Sequence, residues 1–542
     1  MEGLSVLIAP SNTVNDLTLN VSMLLSVACG VTGVGPADET GAADFQDVPA
    51  DAAIDLGIDL GIDRVDVAPD STVDTIFDAL PFDALPFDAL TCPDVQGTSK
   101  TLREKAEFFD SAAVRWHLPA GQDLLFNAVL KDDLQTFDHV DMSDNVGLWT
   151  STYTASQAFR YAATRSPDAL QNLRRTVRGE HDLMLVTGVP GLFSRVAIDP
   201  NLPGFPSQEW LRTAYADCDL QVAHCKRFNE VTQGDYAGRW FKNDVSKDEY
   251  SGHMFAMGVI LEVVDDPEVR ARATDIVTQV GQHLADHGLR LTDIDGQTTA
   301  YGYMNALSFN DFPGFNAVLS LSWTRLAASV AGGSLLDFYR NCLLQQGGEL
   351  QCIPDESPAP YTDYLDQVGL DLGCLTNWNN HNMAQLAMYP LIRYEDDPVL
   401  KARYQAALRD QLWNPTDARP MRDQQNSLYT FFYLVNRDPA DPWPAKEAQA
   451  ALCTLKRFPE SKAHHAVDTV SRYPEACIDR GGDPLADVVI PIEERSMDNF
   501  LWTGNPYSLE QEAEDLHYVD SPEDYLLAYW MGRYFGLITA DM

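Results

Sequence analysis

At 542 residues the chain is longer than one average domain, and 45% of it is hydrophobic, enough for a sizeable core. Its net charge of −42 excludes a general nucleic-acid binder, because no basic surface is available to replace phosphate counterions. The same charge argues against docking on anionic lipid through protein charge.

No Lys or Arg precedes Arg64, so the basic n-region expected of a signal peptide is missing. Leu17 to Ala28 is nonetheless mostly apolar, and Ser26-Val27-Ala28-Cys29-Gly30 resembles a bacterial lipoprotein cleavage site with Cys29 as the lipidated residue. Residues 1–30 therefore read as a signal or lipoprotein-like segment; the alternative is a soluble protein with a disordered N-terminus. Residues 31–98 are low-complexity, and 31–99 carry fifteen acidic residues and one arginine. Leu56-Gly-Ile-Asp59 repeats as Leu60-Gly-Ile-Asp63, and Phe77-Asp-Ala-Leu-Pro81 recurs at Phe82 and, without its proline, at Phe87. Such repeats cannot bury enough surface to fold alone, so the segment is expected to be a disordered acidic tether. A partner-docking role for its spaced Phe and Leu is the alternative.

With Cys29 set aside, eight cysteines remain, an even number that permits disulfides in an oxidising compartment. The close pairs are Cys218/Cys225, Cys342/Cys352 and Cys453/Cys477, and buried free thiols are the alternative. No CxxC spacing occurs. Neither a metal nor another cofactor is expected.

From about residue 100 the pattern turns helical. Predicted helices pair as Ser151 to Thr164 with Pro167 to Val186, and Asp248 to Val264 with Pro267 to His287, across short turns carrying Pro, Asp or Gly. Later pairs fall near 314–328 with 333–346, 380–393 with 397–412, and 424–436 with 444–458, before a last helix near 522–537. A series of helical hairpins this long predicts an all-α fold, an α/α toroid spanning 99–542, in which inner and outer helices alternate around a central cavity. An open α-solenoid is the competing architecture.

The stretch Asp244 to His253 concentrates chemistry. Asp244 and Asp248, like Glu249 and His253, are four apart and would share a helix face. Ser246-x-x-Glu249 is also a capping box, which needs no substrate to explain it. Three other blocks place aromatic, acidic or amide residues at a helix end: Asp144 to Tyr153 with Phe159-Arg160-Tyr161, Asn377 to Asn382, and Asp524-Tyr525 leading to Tyr529-Trp530-Met531-Gly532-Arg533-Tyr534. Aromatics stack on sugar rings, while acids, amides and Arg bond hydroxyls or uronate groups. The plainer readings are an N-cap for the amide block and a packed aromatic stripe for the last. His283 and His287 fit the carbonyl end of a helix better than zinc, and Asp293-Ile-Asp295-Gly296 fits a turn better than a calcium loop.

These blocks, with Val186-Thr-Gly-Val-Pro-Gly191, Arg195, Leu291-x-Asp293-x-Asp295-Gly296 and Tyr389-Pro390-Leu391, make residues 140–538 resemble secreted bacterial helical-toroid modules related to the six-hairpin glycosidase-like group. The resemblance implies the toroid fold and a glycan ligand, without assigning a reaction. One departure concerns the third block: Asn379, Asn380 and Asn382 stand where the family has acidic residues, which puts an acid role there in doubt.

The expected function is a carbohydrate-active envelope lipoprotein, lipid-anchored or extracellular, that cleaves glycosidic bonds of a polysaccharide or oligosaccharide. For hydrolysis Asp248 or Glu249 would be the general acid and Asp144 the partner carboxylate. A lyase would use His253, His381 or a tyrosine as base, with Arg195 or Asn380 neutralising a substrate carboxylate. The negative chain repels polyuronates, which favours hydrolysis. Substrate contacts are expected from Trp149, Tyr153, Arg160, Arg195, Asp244, Asn380, His381, Tyr529, Trp530 and Arg533. The alternative is a non-catalytic surface lipoprotein that binds glycan or protein.

Overall fold

A computed structural model describes residue 92 and residues 99–214, 226–305, 313–345, 360–369, 371–416 and 418–542. Cys29, the acidic repeats, Cys218, Cys225 and Cys352 lie outside the described residues. The helices are α1 (Leu102–Ala112), α2 (Val146–Thr164), α3 (Pro167–Leu185), α4 (Gln208–Thr213), α5 (Lys247–Val263), α6 (Pro267–Asp286), α7 (Pro313–Ala331), α8 (Gly333–Phe338), α9 (Trp378–Tyr394), α10 (Pro398–Ala407), α11 (Ser427–Asn436), α12 (Ala445–Arg457) and α13 (Glu523–Tyr534).

The chain reverses by local rules. Pro167, Pro267 and Pro398 open α3, α6 and α10 at positions where the missing N–H is not needed, and Asp266 and Asp397 cap the latter two with their side chains. Burial then sorts helices into two rings. α2, α5, α7 and α13 are buried around most of their circumference, whereas α3 and α6 bury one stripe recurring every three or four residues. The inner ring closes because α2 packs against both α5 and α13, while α9 joins α5 to α11 and α11 reaches α13. α7 packs on α6, α8 and α9. This is the expected α/α toroid.

Its centre is filled, unlike the open cavity expected. Phe159 of α2, Phe255 of α5, Tyr389 of α9 and Phe432 of α11 meet there, with ring centroids 5.3 to 6.3 Å apart. The end where the inner helices begin is the mouth of the ring. Two features shape that mouth. Strand 127–130, ahead of α2, pairs antiparallel with strand 515–519, ahead of α13, so both helix starts are stapled together. Residues 495–506, from the long segment between α12 and α13, lie over the mouth: Phe500 stacks on Trp149, Leu501 N–H donates to Asp524 Oδ2 at 3.1 Å, and Trp502 Nε1 donates to the Asp524 carbonyl at 2.8 Å.

The disulfides differ from the close-pair expectation. Cys453 bonds Cys92 and not Cys477, and Cys477 bonds Cys374, because helical packing brings together residues remote in sequence. The second bridge ties the roof segment to the approach of α9, beside the cluster of Trp378, Leu485 and Tyr507. Cys342 is also disulfide-bonded.

α2 and α5 approach closely at Gly252, where an added Cβ would stand 2.3 Å from Ser151 Oγ and 2.5 Å from Leu148 Cδ1. Gly252→Ala is therefore expected to destabilise the fold by about 1–3 kcal/mol. Thermal unfolding should show a Tm loss of several degrees, and an unchanged Tm would contradict the seam described.

Candidate functional site at the mouth of the ring

The mouth is first built at the starts of α2 and α5. Strand 240–242 brings Lys242 beside Arg195, whose N–H donates to the Lys242 carbonyl at 2.9 Å. Asp244 follows in the left-handed region at φ 55°, held because its N–H donates to Asp293 Oδ2 at 3.1 Å and its Oδ1 accepts from Ala300 N–H at 2.8 Å. It therefore precedes the helix and does not share a face with Asp248. Arg195 Nε donates to the Asp244 carbonyl at 2.7 Å, and its Nη1 to the Asp144 carbonyl at 3.3 Å. Both Arg195 and Asp244 are buried and brace the backbone ahead of α2 and α5.

Asp144 keeps solvent access and sits between two ammonium groups, Lys226 Nζ at 2.7 Å and Lys242 Nζ. Burial alone would raise its pKa, but the two lysines outweigh that and hold it well below the usual carboxylate range. Asp248 is half-buried in the first turn of α5. Its neighbour Lys247 is buried, donates to the Tyr303 carbonyl at 2.9 Å, and is pushed down to about 7 by burial against the opposing pull of Asp248.

Glu249 and His253 do share a face, as predicted, but that face is sealed against α2 and α3. Both are 0% exposed. Glu249 Oε2 accepts the N–H of Leu148 at 2.8 Å, which makes Glu249 a cap for α2 and not for its own helix. The predicted capping box does not form, since Ser246 makes no side-chain cap bond. His253 Nδ1 bonds Glu180 Oε2 at 2.8 Å, and its ring stacks on Phe193 with centroids 3.9 Å apart. Only glycine fits at position 147 above them, because a Cβ would stand 2.4 Å from Glu249 Oε2 and 2.9 Å from His253 Nε2. Burial drives the Glu249 carboxyl well above its usual range, Arg195 pulls the other way, and Asp248 and Asp144 add to the rise. Neither Glu249 nor His253 reaches a substrate in this arrangement.

The second sector lies at the starts of α9 and α11. A small pocket of about 10 Å³, room for about one water, is lined by Trp378, His381, Gln424, Tyr429, Arg495, Trp502 and Thr503 among others. His381 stacks on Trp378 at 5.3 Å. Asn377 caps α9 by accepting from Asn379 N–H at 3.2 Å, as the plainer reading of this block held, while Asn379 Oδ1 accepts from Thr503 at 3.2 Å. Asn380 is half-buried beside them. Sequence patterning missed Arg495, Trp502 and Thr503, which stand in a segment without helical period and reach the mouth only through the roof.

The remaining predicted contacts are elsewhere. Arg160, Tyr529, Trp530 and Arg533 do gather, around the buried Asp110, but in a flank groove of about 320 Å³. Trp530 Nε1 donates to Asp110 Oδ2 at 3.0 Å, and Arg160 lies 3.3 Å from the same oxygen. Burial pushes Asp110 up to about 6 against the pull of Arg160. Arg160 is fourteen residues beyond Val146 along α2, roughly 20 Å from the mouth at 1.5 Å per residue. The predicted contacts thus form two sites and not one. Tyr153 is wholly buried, with burial raising its hydroxyl, and Trp149 is buried under Phe500. His287 Nδ1 bonds the His283 carbonyl at 2.8 Å, and Asp293 to Gly296 form a hairpin turn, as read from the sequence.

No family model and no curated protein matches the chain. Among solved structures, 81% of it aligns with 96% of a GH76 α-mannanase from Bacteroides thetaiotaomicron at 9% identity and a TM-score of 0.36. Similarly, 80% aligns with 69% of endoglucanase CelQ from Clostridium thermocellum, complexed with cellotriose, at 14% identity and a TM-score of 0.37. Cellobiose 2-epimerase from Spirochaeta thermophila aligns over 81% of this chain and 99% of its own, at 11% identity and a TM-score of 0.33. Likeness at this level transfers neither activity nor residue roles.

The sealed Glu249 has a pH signature. Because its folded-state pKa is raised, its contribution to stability is full below the ordinary glutamate value of about 4.3 and is lost as pH rises through the folded value. Glu249→Gln keeps an acceptor for Leu148 and removes the titration. Between about pH 5 and pH 8 the wild-type Tm should fall relative to the variant; parallel curves would contradict the assignment.

Proposed function

We propose that this chain is a glycoside hydrolase that cleaves a polysaccharide at the mouth of its helical ring, with Asp144 and Asp248 as the working carboxyl pair. The observation that carries the reading is their placement: Asp144 just ahead of α2 and Asp248 in the first turn of the neighbouring inner helix α5, at the same mouth, each with access to solvent. Glycoside hydrolysis needs one carboxyl that stays ionised and another that delivers a proton to the departing oxygen. The two lysines keep Asp144 ionised, which suits it to activate water or attack the sugar. Asp248 takes the acid role, since Glu249 is sealed beneath it. Trp378, His381, Trp502 and Thr503 gather at the same end, and indoles, amides and hydroxyls are the groups that bind sugars.

Location at a bacterial envelope, anchored through Cys29, belongs to the same proposal. The bridges Cys92–Cys453 and Cys374–Cys477 support it, because disulfides persist in oxidising compartments. A non-catalytic glycan binder is the second reading, favoured by the absence of any carboxylate among the described residues lining the small pocket at the starts of α9 and α11.

A polysaccharide panel separates the readings. New reducing ends without absorbance from unsaturated uronates mean hydrolysis; both signals together mean a lyase, and binding with neither means a binder. Asp144→Asn and Asp248→Asn should each lower kcat by about 10²- to 10⁴-fold in protein that circular dichroism shows to be folded. Full activity in either variant would remove that residue from the chemistry.

A further inference from the structure

We infer that the substrate is a polysaccharide chain laid across the mouth on two exposed aromatic platforms, Trp210 and Tyr301, and cut at an interior bond. This rests on the hydrolase site proposed above and adds how its substrate is held. Among the described residues Trp210 is the one exposed tryptophan and Tyr301 the one exposed tyrosine, at 48% and 49%. Folding gains by burying such rings, so both have been left in water at some cost. Single exposed apolar residues are common on any surface. What singles out these two is that each stands beside one of the two working carboxyls.

The path from Trp210 to Asp144 is short. The Trp210 ring lies 5.9 Å from that of Phe228. The Phe228 ring in turn lies 5.8 Å from Lys242 Nζ, and that ammonium bonds Asp144. Phe228 and Lys242 face each other in paired strands, which fixes their order. Trp210 is held without being covered: Ser207 Oγ accepts its N–H at 3.2 Å, and the next residue, Leu211, is buried and pins α4 down. Tyr301 serves the other carboxyl. In its strand, 298–303, the Ala300 N–H donates to Asp244 Oδ1 at 2.8 Å, and the Tyr303 carbonyl accepts from Lys247 Nζ at 2.9 Å. The backbone on both sides of Tyr301 is thus tied to the head of α5, where Asp248 sits.

Aromatic rings stack on the apolar faces of sugars, and rings already fixed in place lose little freedom on binding. A platform near each carboxyl puts sugars on both sides of the bond to be cut. Phe228 and Lys242 stand between Trp210 and Asp144 on this path, so the sugar stacked on Trp210 is another unit of the chain and not the one cleaved. A chain lying along the surface needs no enclosed cavity, which agrees with the filled centre of the ring.

Affinity electrophoresis of the whole protein in gels carrying β-glucan, α-mannan, xylan or polygalacturonate tests the platforms. At least one polymer should retard the protein, and Trp210→Ala and Tyr301→Ala should each weaken that affinity about 5- to 20-fold. If Trp210→Ala does not fold, Trp210→Phe, with a smaller platform, should still show part of the loss. On a polymer that is cleaved, the variants should raise KM by a similar factor with kcat little changed. Turnover of a short aryl glycoside should not change, and viscosity should fall before reducing ends accumulate. Retardation by no polymer, wild-type affinity in either variant, or release of mono- and disaccharides alone overturns the inference. Asp144→Asn separates the two proposals: it should keep retardation while losing turnover. Platform-dependent retardation in a protein that cleaves no polymer sinks the hydrolase reading alone, and cleavage with KM unmoved in both variants sinks this inference alone.

Discussion

The Glu249 carboxylate, seated on the N-terminus of α2, is the contact from which the mouth is organised. It crosses from one inner helix to the next and accepts a backbone N–H that has no partner within α2. Asn145, the residue at the head of α2, makes no side-chain cap bond, so α5 supplies the missing acceptor. Glycine at 147 and 252 allows the two helices to come this close. His253 and Glu180 then extend the buried polar seam to the outer ring. A buried acid is tolerated because each group in this seam fixes the next, and removing one would strand the others.

This seam decides what is left for chemistry. With Glu249 and His253 sealed, Asp144 and Asp248 are the carboxyls flanking this seam that keep solvent access. Arg195 belongs to the same frame, since its guanidinium ties the backbone before α2 to the backbone before α5. The mouth is therefore positioned by main-chain carbonyls and one buried arginine, while the groups facing solvent remain free to react. The aromatic plug lower in the ring fills the centre, so the ring is not an open channel.

Charge also acts locally. The chain as a whole is strongly acidic, yet the mouth concentrates Lys226, Lys242, Arg195 and Arg495. Net charge governs long-range encounter and solubility, whereas recognition depends on the groups within a few ångströms.

Much of the architecture was legible in the sequence, because it depends on short-range rules. Hydrophobic period, Pro at helix starts and Asp caps located the hairpins within a few residues of their observed bounds, and the i, i+4 spacing placed Glu249 and His253 on one face. What faces that surface is a tertiary matter. The sequence could not show that Glu249 caps a different helix, that Cys453 bonds Cys92, or that Arg160 and Trp530 lie a long helix-length from Asp144. Nor could it bring Arg495 into the mouth, since the roof carries no periodic signal. Local composition determined which helices form and which faces are apolar, because those are set by neighbours along the chain. Ring closure decided which polar groups are sealed and which remain exposed, because that depends on contacts between residues up to several hundred positions apart.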